Sequence, residues 1–169
     1  MPTNDADDCP PSLTESESNY VVLLRAQMKR HGWIPSTAPD DWYAGMDVES
    51  ADGRCLAWVD LSADNCVMLT VGAYYNGVVT TVGSLHSQLF DLQRDDPRVP
   101  PSTFGGTISE QVVRAANWFD KLVRRPILRS DWSATAQEYA FADDGTLLVI
   151  SGSRLDRSGP PIRETVINT

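Results

Sequence analysis

Apolar residues recur along this chain with two periods, and the helical one is clearest between residues 107 and 125. Val112, Ala115, Phe119 and Leu122 fall at helical spacing, with Ala116 and Val123 beside them. Thr107 and Glu110 stand three apart just before them, the spacing of a capping box. Pro126 cannot continue a helix and pushes Arg125 toward an extended conformation. A long amphipathic helix is therefore predicted, turning sharply into a strand over residues 127–132. A second helical pattern, Val21, Leu24 and Met28, predicts a helix over residues 19–31. Ser18 or Asn19 would cap its start, and Gly32 would end it in a left-handed conformation. Trp33 and Ile34 should pack back on it, before a loop over residues 35–40.

The two-residue period predicts the strands. Trp42, Ala44, Met46 and Val48 alternate, and strands follow over residues 54–61, 66–75 and 78–82. A four-residue loop at 62–65 and an Asn76-Gly77 turn join the last three into a meander. Leu85, Leu89 and Leu92 suggest a short helix over 84–94, and the Pro- and Gly-rich residues 95–106 read as a loop. Beyond the long helix come strands at 127–132, 137–142 and 146–151, the last two joined by a turn at Asp143-Asp144-Gly145. Leu147 to Ile150 form the most apolar short run, which argues for a central strand. The expected fold class is α+β: an antiparallel sheet (a four-strand meander, the long helix, then about three strands) with helices packed on one face. Residues 1–18 read as a disordered acidic tail, 19–152 as one domain and 153–169 as a loose tail. Whether that tail adds an edge strand over 161–167 stays open.

Charge sharpens the picture. The net charge is −9 over 169 residues. Five acids and no base precede Asn19, leaving 18 acids against 14 bases in residues 20–169. Direct nucleic-acid binding is not expected, because it rests on neutralising phosphates with Lys and Arg. Arg outnumbers Lys by twelve to two, as in a GC-rich genome. No apolar run reaches the roughly 18 residues of a membrane span, and no signal peptide is visible, so no membrane partner is expected and the location is read as cytoplasmic. The three Cys lack CxxC spacing. The four-residue loop would place Leu61 opposite Cys66 and Cys55 opposite Gly72, too far apart for Cys55 and Cys66 to form a disulfide.

Candidate chemistry is sparse. Phosphate-loop, dinucleotide-turn, zinc-helix and nucleophile-elbow motifs are missing, so no cofactor, metal or catalytic residue is assigned. Gly105-Gly106 reads as a lead-in to a capped helix. His86 lies among Ser84 and Ser87 with no acid partner in view, and His31 sits where a cation complements the helix dipole. The acid pairs at 40–41, 95–96 and 143–144 all fall in predicted turns or loops. Two features suit a contact surface. Arg124, Arg125 and Arg129 concentrate positive charge at the end of the long helix. Trp33 and Trp132 stand at element ends, where aromatics anchor interfaces.

Trp118-Phe119-x-x-Leu122-x-Arg124-Arg125-Pro126-Ile127, ending at Trp132 and followed by residues 139–145, resembles a stretch of small uncharacterised proteins of GC-rich actinobacteria. It covers about a fifth of the chain and implies no activity. The general layout is also similar in shape to bacterial immunity proteins and secretion-type chaperones, which does not decide function. The leading expectation is a non-enzymatic protein-binding protein, an adaptor, regulator or immunity type, whose partner is another protein. The alternatives are an enzyme or small-ligand protein with a pocket between sheet and long helix, and an acidic-polymer mimic from a phage or mobile element.

Overall fold

The computed structural model describes residues 12–38, 51–86, 91–152 and 157–167. The strand expected from Trp42 to Val48, residues 1–11 with Cys9, and the acid pair at 40–41 lie outside them. Helix α1 spans Glu15–His31, four residues longer at its start than its apolar spacing suggested. Thr14 and Glu17 form a capping box there, and Gly32 (φ 90°) closes the other end as expected. The polar first turn is held by its neighbours. Arg54, buried on the first long strand, pairs with Glu17, and Ser16 Oγ shares a hydrogen bond with the Tyr75 hydroxyl.

Five strands follow in one antiparallel sheet: β1 (Ser36–Thr37), β2 (Arg54–Ala63), β3 (Cys66–Tyr75), β4 (Thr80–Leu85) and β5 (Ser102–Phe104), in that spatial order. β1 and β5 replace segments expected to be loops. The β2–β3 turn is tighter than expected. Asp64 and Asn65 both take left-handed φ (51° and 61°), which makes a two-residue hairpin in place of a four-residue loop. Ala63 therefore pairs with Cys66, and Cys55 with Tyr74, which corrects the predicted register. Both cysteines are free, Cys55 buried and Cys66 exposed. They stand about 25 Å apart along the ladder at strand rise. The β3–β4 connection is longer than two residues, because Tyr75 pairs with Thr80. Asn76 Oδ1 closes it by accepting from the amides of Val78 and Val79.

Ser84 and Leu85 end β4, where a helix was expected, and Leu85 bridges Leu92. The reason lies in a facing glycine pair, Gly72 and Gly83. A Cβ at Gly72 would lie 2.6 Å from Leu85 Cδ1, and one at Gly83 would lie 3.2 Å from Leu92 Cδ2. The two leucines fill space that any larger residue would occupy.

Helix α2 spans Ile108–Arg124 with the predicted capping box, and Arg125 is extended ahead of Pro126. A second antiparallel sheet follows: β6 (Ile127–Asp131), β7 (Gln137–Phe141), β8 (Leu147–Ser151) and β9 (Arg163–Ile167) in the order β8-β7-β6-β9. The protein is thus α+β, with two sheets where one was expected. β9 settles the open question of the tail, since it pairs with β6 and buries Ile167. β8, expected to be central, stands at one end of its sheet. Its apolar residues Leu147 to Val149 line a cavity whose other walls include Trp118 and Leu122 of α2 and the segment at Val99–Pro101. α1 packs on β2, α2 packs on β4 and β5, and β9 lies against β2.

One buried amide ties these layers together. Gln111 is 2% exposed. Its Oε1 accepts from Thr80 Oγ1, and its Nε2 donates to the carbonyls of Val78 and Gly106. Gln111→Ala would leave a buried hydroxyl and two carbonyls short of partners, a loss of about 2–3 kcal/mol. Denaturant unfolding should show that loss, and a change under about 0.5 kcal/mol would contradict the role given to this side chain.

Candidate functional site

The five residues picked out as contact candidates are spread over three places, each engaged within the chain. Asp120 on α2 gathers the first group. It accepts from Trp33 Nε1 (3.2 Å) and Arg124 Nε (2.8 Å), and lies 3.4 Å from His31 Nδ1. Arg124 also donates to the His31 carbonyl at 2.6 Å. Burial works against the Asp120 carboxylate, but the Trp33 and Arg124 donors outweigh it and hold its pKa below the usual value. Trp33 meets Phe119 edge-on, so it anchors the end of α1 on α2.

Arg125 faces the Asp143-Asp144 turn and pairs with both carboxylates. Its guanidinium stacks on Phe141, 3.7 Å from the ring centroid. Hydrogen bonds from Thr146, with Arg125 beside it, lower the Asp144 pKa to about 2. The acidic partner sought for this Arg is the chain's own turn. Arg129 donates to Asp131 and reaches Met68 Sδ, while Trp132 Nε1 donates to the Gly159 carbonyl.

His86 gains two acids that its sequence neighbourhood did not reveal. Nδ1 lies 2.9 Å from Asp91 Oδ1 and Nε2 lies 3.2 Å from Asp95 Oδ2. Both nitrogens must donate to satisfy both carboxylates, so this geometry suits an imidazolium and leaves no lone pair for a general base. The acids flank opposite edges of the ring and cannot converge on one metal ion with it. Among the described residues, no three His, Cys, Asp or Glu side chains are grouped to hold a metal. Cys55 is chemically quiet, because burial pushes its thiol up to about 12.

Two concave regions among the described residues have apolar side chains in their walls. The first is a groove between the helices, with a cavity of about 200 Å³ lined by Leu23, Ala26, Val112 and Val113, with Gln27, Arg30 and Ser109 at its sides. Val22 and Val113 are 64% and 41% exposed. The signal in the sequence was the unbroken run Val21–Leu24. Four consecutive apolar residues cannot all face one side of a helix. Val21 and Leu24 are buried, while Val22 is exposed and Leu23 half-buried. The two helices carry six bases (Arg25, Lys29, Arg30, Arg114, Lys121, Arg124) against four acids. Glu17, Glu110 and Asp120 are already engaged in caps and ion pairs.

The second region is a cleft between β3–β4, β8 and α2. It is close to the pocket expected between sheet and long helix, except that the second sheet forms one wall. His86 lines neither the cleft nor the groove.

Comparison with known proteins adds no family: no family model matches the chain, and no curated protein or solved structure matches it. No helix among the described residues is long and apolar enough to cross a membrane.

The His86 clasp makes a testable pH prediction. Burial disfavours its charged form, but Asp95 and Asp91 overcome this and raise its pKa above the ordinary value of 6.5. A raised folded pKa stabilises fully below pH 6.5, and that contribution is lost as pH rises through the folded value. An NMR titration should give His86 a pKa above 6.5, lowered in Asp95→Asn. A wild-type value at or below 6.5 would rule out the clasp.

Proposed function

We propose that this is a non-enzymatic protein-binding protein that engages its partner through the outer face of α1 and α2. The observation that carries this reading is the open apolar groove between the helices, with Val113 and Arg30 in its walls and Val22 exposed one helical turn before Ala26. Apolar side chains at the centre and charge at the rim are the anatomy of a specific interface. The occupant that fits is an amphipathic helix of another protein with acidic flanks. Its apolar side would fill the groove, and its carboxylates would meet the excess of Lys and Arg on the two helices. An adaptor, a regulator and an immunity-type inhibitor are all consistent with this mode. Trp33, Trp132, Arg124, Arg125 and Arg129 then serve mainly to hold the elements in place, with Arg124 at the edge of the face.

The acidic-polymer reading finds less support. The described residues hold 15 acids against 13 bases, so most of the negative excess falls outside them. The pocket reading is favoured by a separate observation, the cleft beside β8, and does not compete for the same surface.

The test is a comparative capture from a nuclease-treated lysate of the native host, using wild-type bait and the Val22→Glu/Val113→Glu double variant. The expected result is a partner retained by wild type at low salt and reduced at least about tenfold by the variant. Cross-links should join an acidic helix of that partner to α1 or α2. Retention of the same partner by a folded double variant would exclude the helical face.

A further inference from the structure

We infer that the cleft between β3–β4, β8 and α2 is a binding site for a small neutral amide with an apolar body. Two neighbouring cavities of about 130 and 210 Å³ lie there, with Leu69, Gln93 and Val149 in the walls of both. In the first, Val71 and Val82 of the first sheet face Leu148 of β8, with Trp118 and Leu122 of α2 alongside. An apolar cavity of about 150 Å³ accepts a molecule the size of benzene. One ring with a short polar substituent matches the scale of these spaces.

The polar groups decide the ligand's chemistry. Among the described residues, no Asp, Glu, Lys, Arg or His lines either cavity. An ionised ligand would lose its hydration there with no counter-charge to replace it. Most of the lining hydroxyls already donate inside the protein: Tyr139 to the Met68 carbonyl, Thr70 to Asp60 and Ser84 to Gln93 Oε1. Two amides have capacity left. Gln93, in the wall of both cavities, is held at Oε1 by Ser84, and its NH2 has no acceptor among the described residues. Gln137, in the wall of the larger cavity, donates through Nε2 to the Ala134 carbonyl, and its Oε1 receives no donor among the described residues. A free donor and a free acceptor in one uncharged cleft complement an amide, whose carbonyl accepts from Gln93 and whose N–H donates to Gln137. The cleft lies apart from the helical groove, so the inference stands independently of the partner-binding reading.

The probe is benzamide, titrated into the full chain and followed by amide-resolved NMR, with benzoate as its charged near-isostere. Saturable shifts are expected at the Gln93 side chain and at the Leu69 and Val149 amides. Benzoate should bind at least about tenfold more weakly. Gln93→Leu should weaken benzamide by about tenfold, the effect of one lost hydrogen bond to a desolvated group. Leu148→Trp, which fills the smaller cavity from a half-buried position, should also weaken it. Equal affinity for benzamide and benzoate, shifts confined to other surfaces, or no shift at millimolar benzamide would overturn the inference. The wild-type comparison decides the matter even if either variant fails to fold.

Discussion

The apolar stripe of α2, formed by Val112, Ala115, Ala116, Phe119 and Leu122, is withdrawn from water along its whole length. Different parts of the protein meet it along the helix. Phe119 meets Trp33 at the end of α1. Leu122 shares a cavity wall with Val71 and Val82 of the first sheet and with Leu147 to Val149 of the second. Lys121 lies over the Phe141 ring on β7. Two β-sheets that share no hydrogen-bonded ladder among the described residues are thereby given a common support. Polar contacts then fix the helix at both ends: Gln111 and the Thr107–Glu110 box at the start, Asp120 and Arg125 near the finish. Non-directional burial brings the layers together, and these directional bonds set their register.

That arrangement explains why the conspicuous charges find their partners within the chain. An Arg cluster on an acidic chain invites an external partner. Yet Arg125 finds its carboxylates 18 and 19 residues away on the β7–β8 turn, and Trp33 finds Asp120 across 87 residues of sequence. Exposed ion pairs of this kind add little individually, but a guanidinium also stacked on Phe141 combines charge with packing. The surfaces proposed for outside contact are less conspicuous: two valines on the helices and two uncharged amides in a cleft.

Much of the fold was legible where local chemistry and the global structure agree. Thr107, Glu110 and Pro126 bound α2 as read, and Gly145 (φ 71°) supports the β7–β8 turn. Most of the misreadings share a physical cause, a dependence on a neighbour distant in sequence. The start of α1 is polar and relies on Arg54 and Tyr75 of the first sheet. Leu85 and Leu92 kept a helical spacing but fill the space over Gly72 and Gly83 instead. At Asp64-Asn65 the error was local: both residues tolerate left-handed φ, and a tighter turn moved the register. β8 looked central because it is apolar, although a helix and a loop can cover an end strand as well as another strand can. Of the expectations about sites, the pocket beside the long helix has a structural counterpart in the cleft next to β8. The groove was hidden in the apolar excess of Val21–Leu24.

The measurement that tests this account most directly is urea unfolding of Val22→Ser/Val113→Ser beside Asp120→Ala. If the groove is a surface kept for binding while Asp120 holds the helices together, the double variant should stay within about 0.5 kcal/mol of wild type. Asp120→Ala should lose about 1–3 kcal/mol, because the Trp33 and Arg124 donors lose their acceptor. A double variant destabilised as much as Asp120→Ala would show that the valines are part of the packed helical layer, which would remove the basis for a docking face.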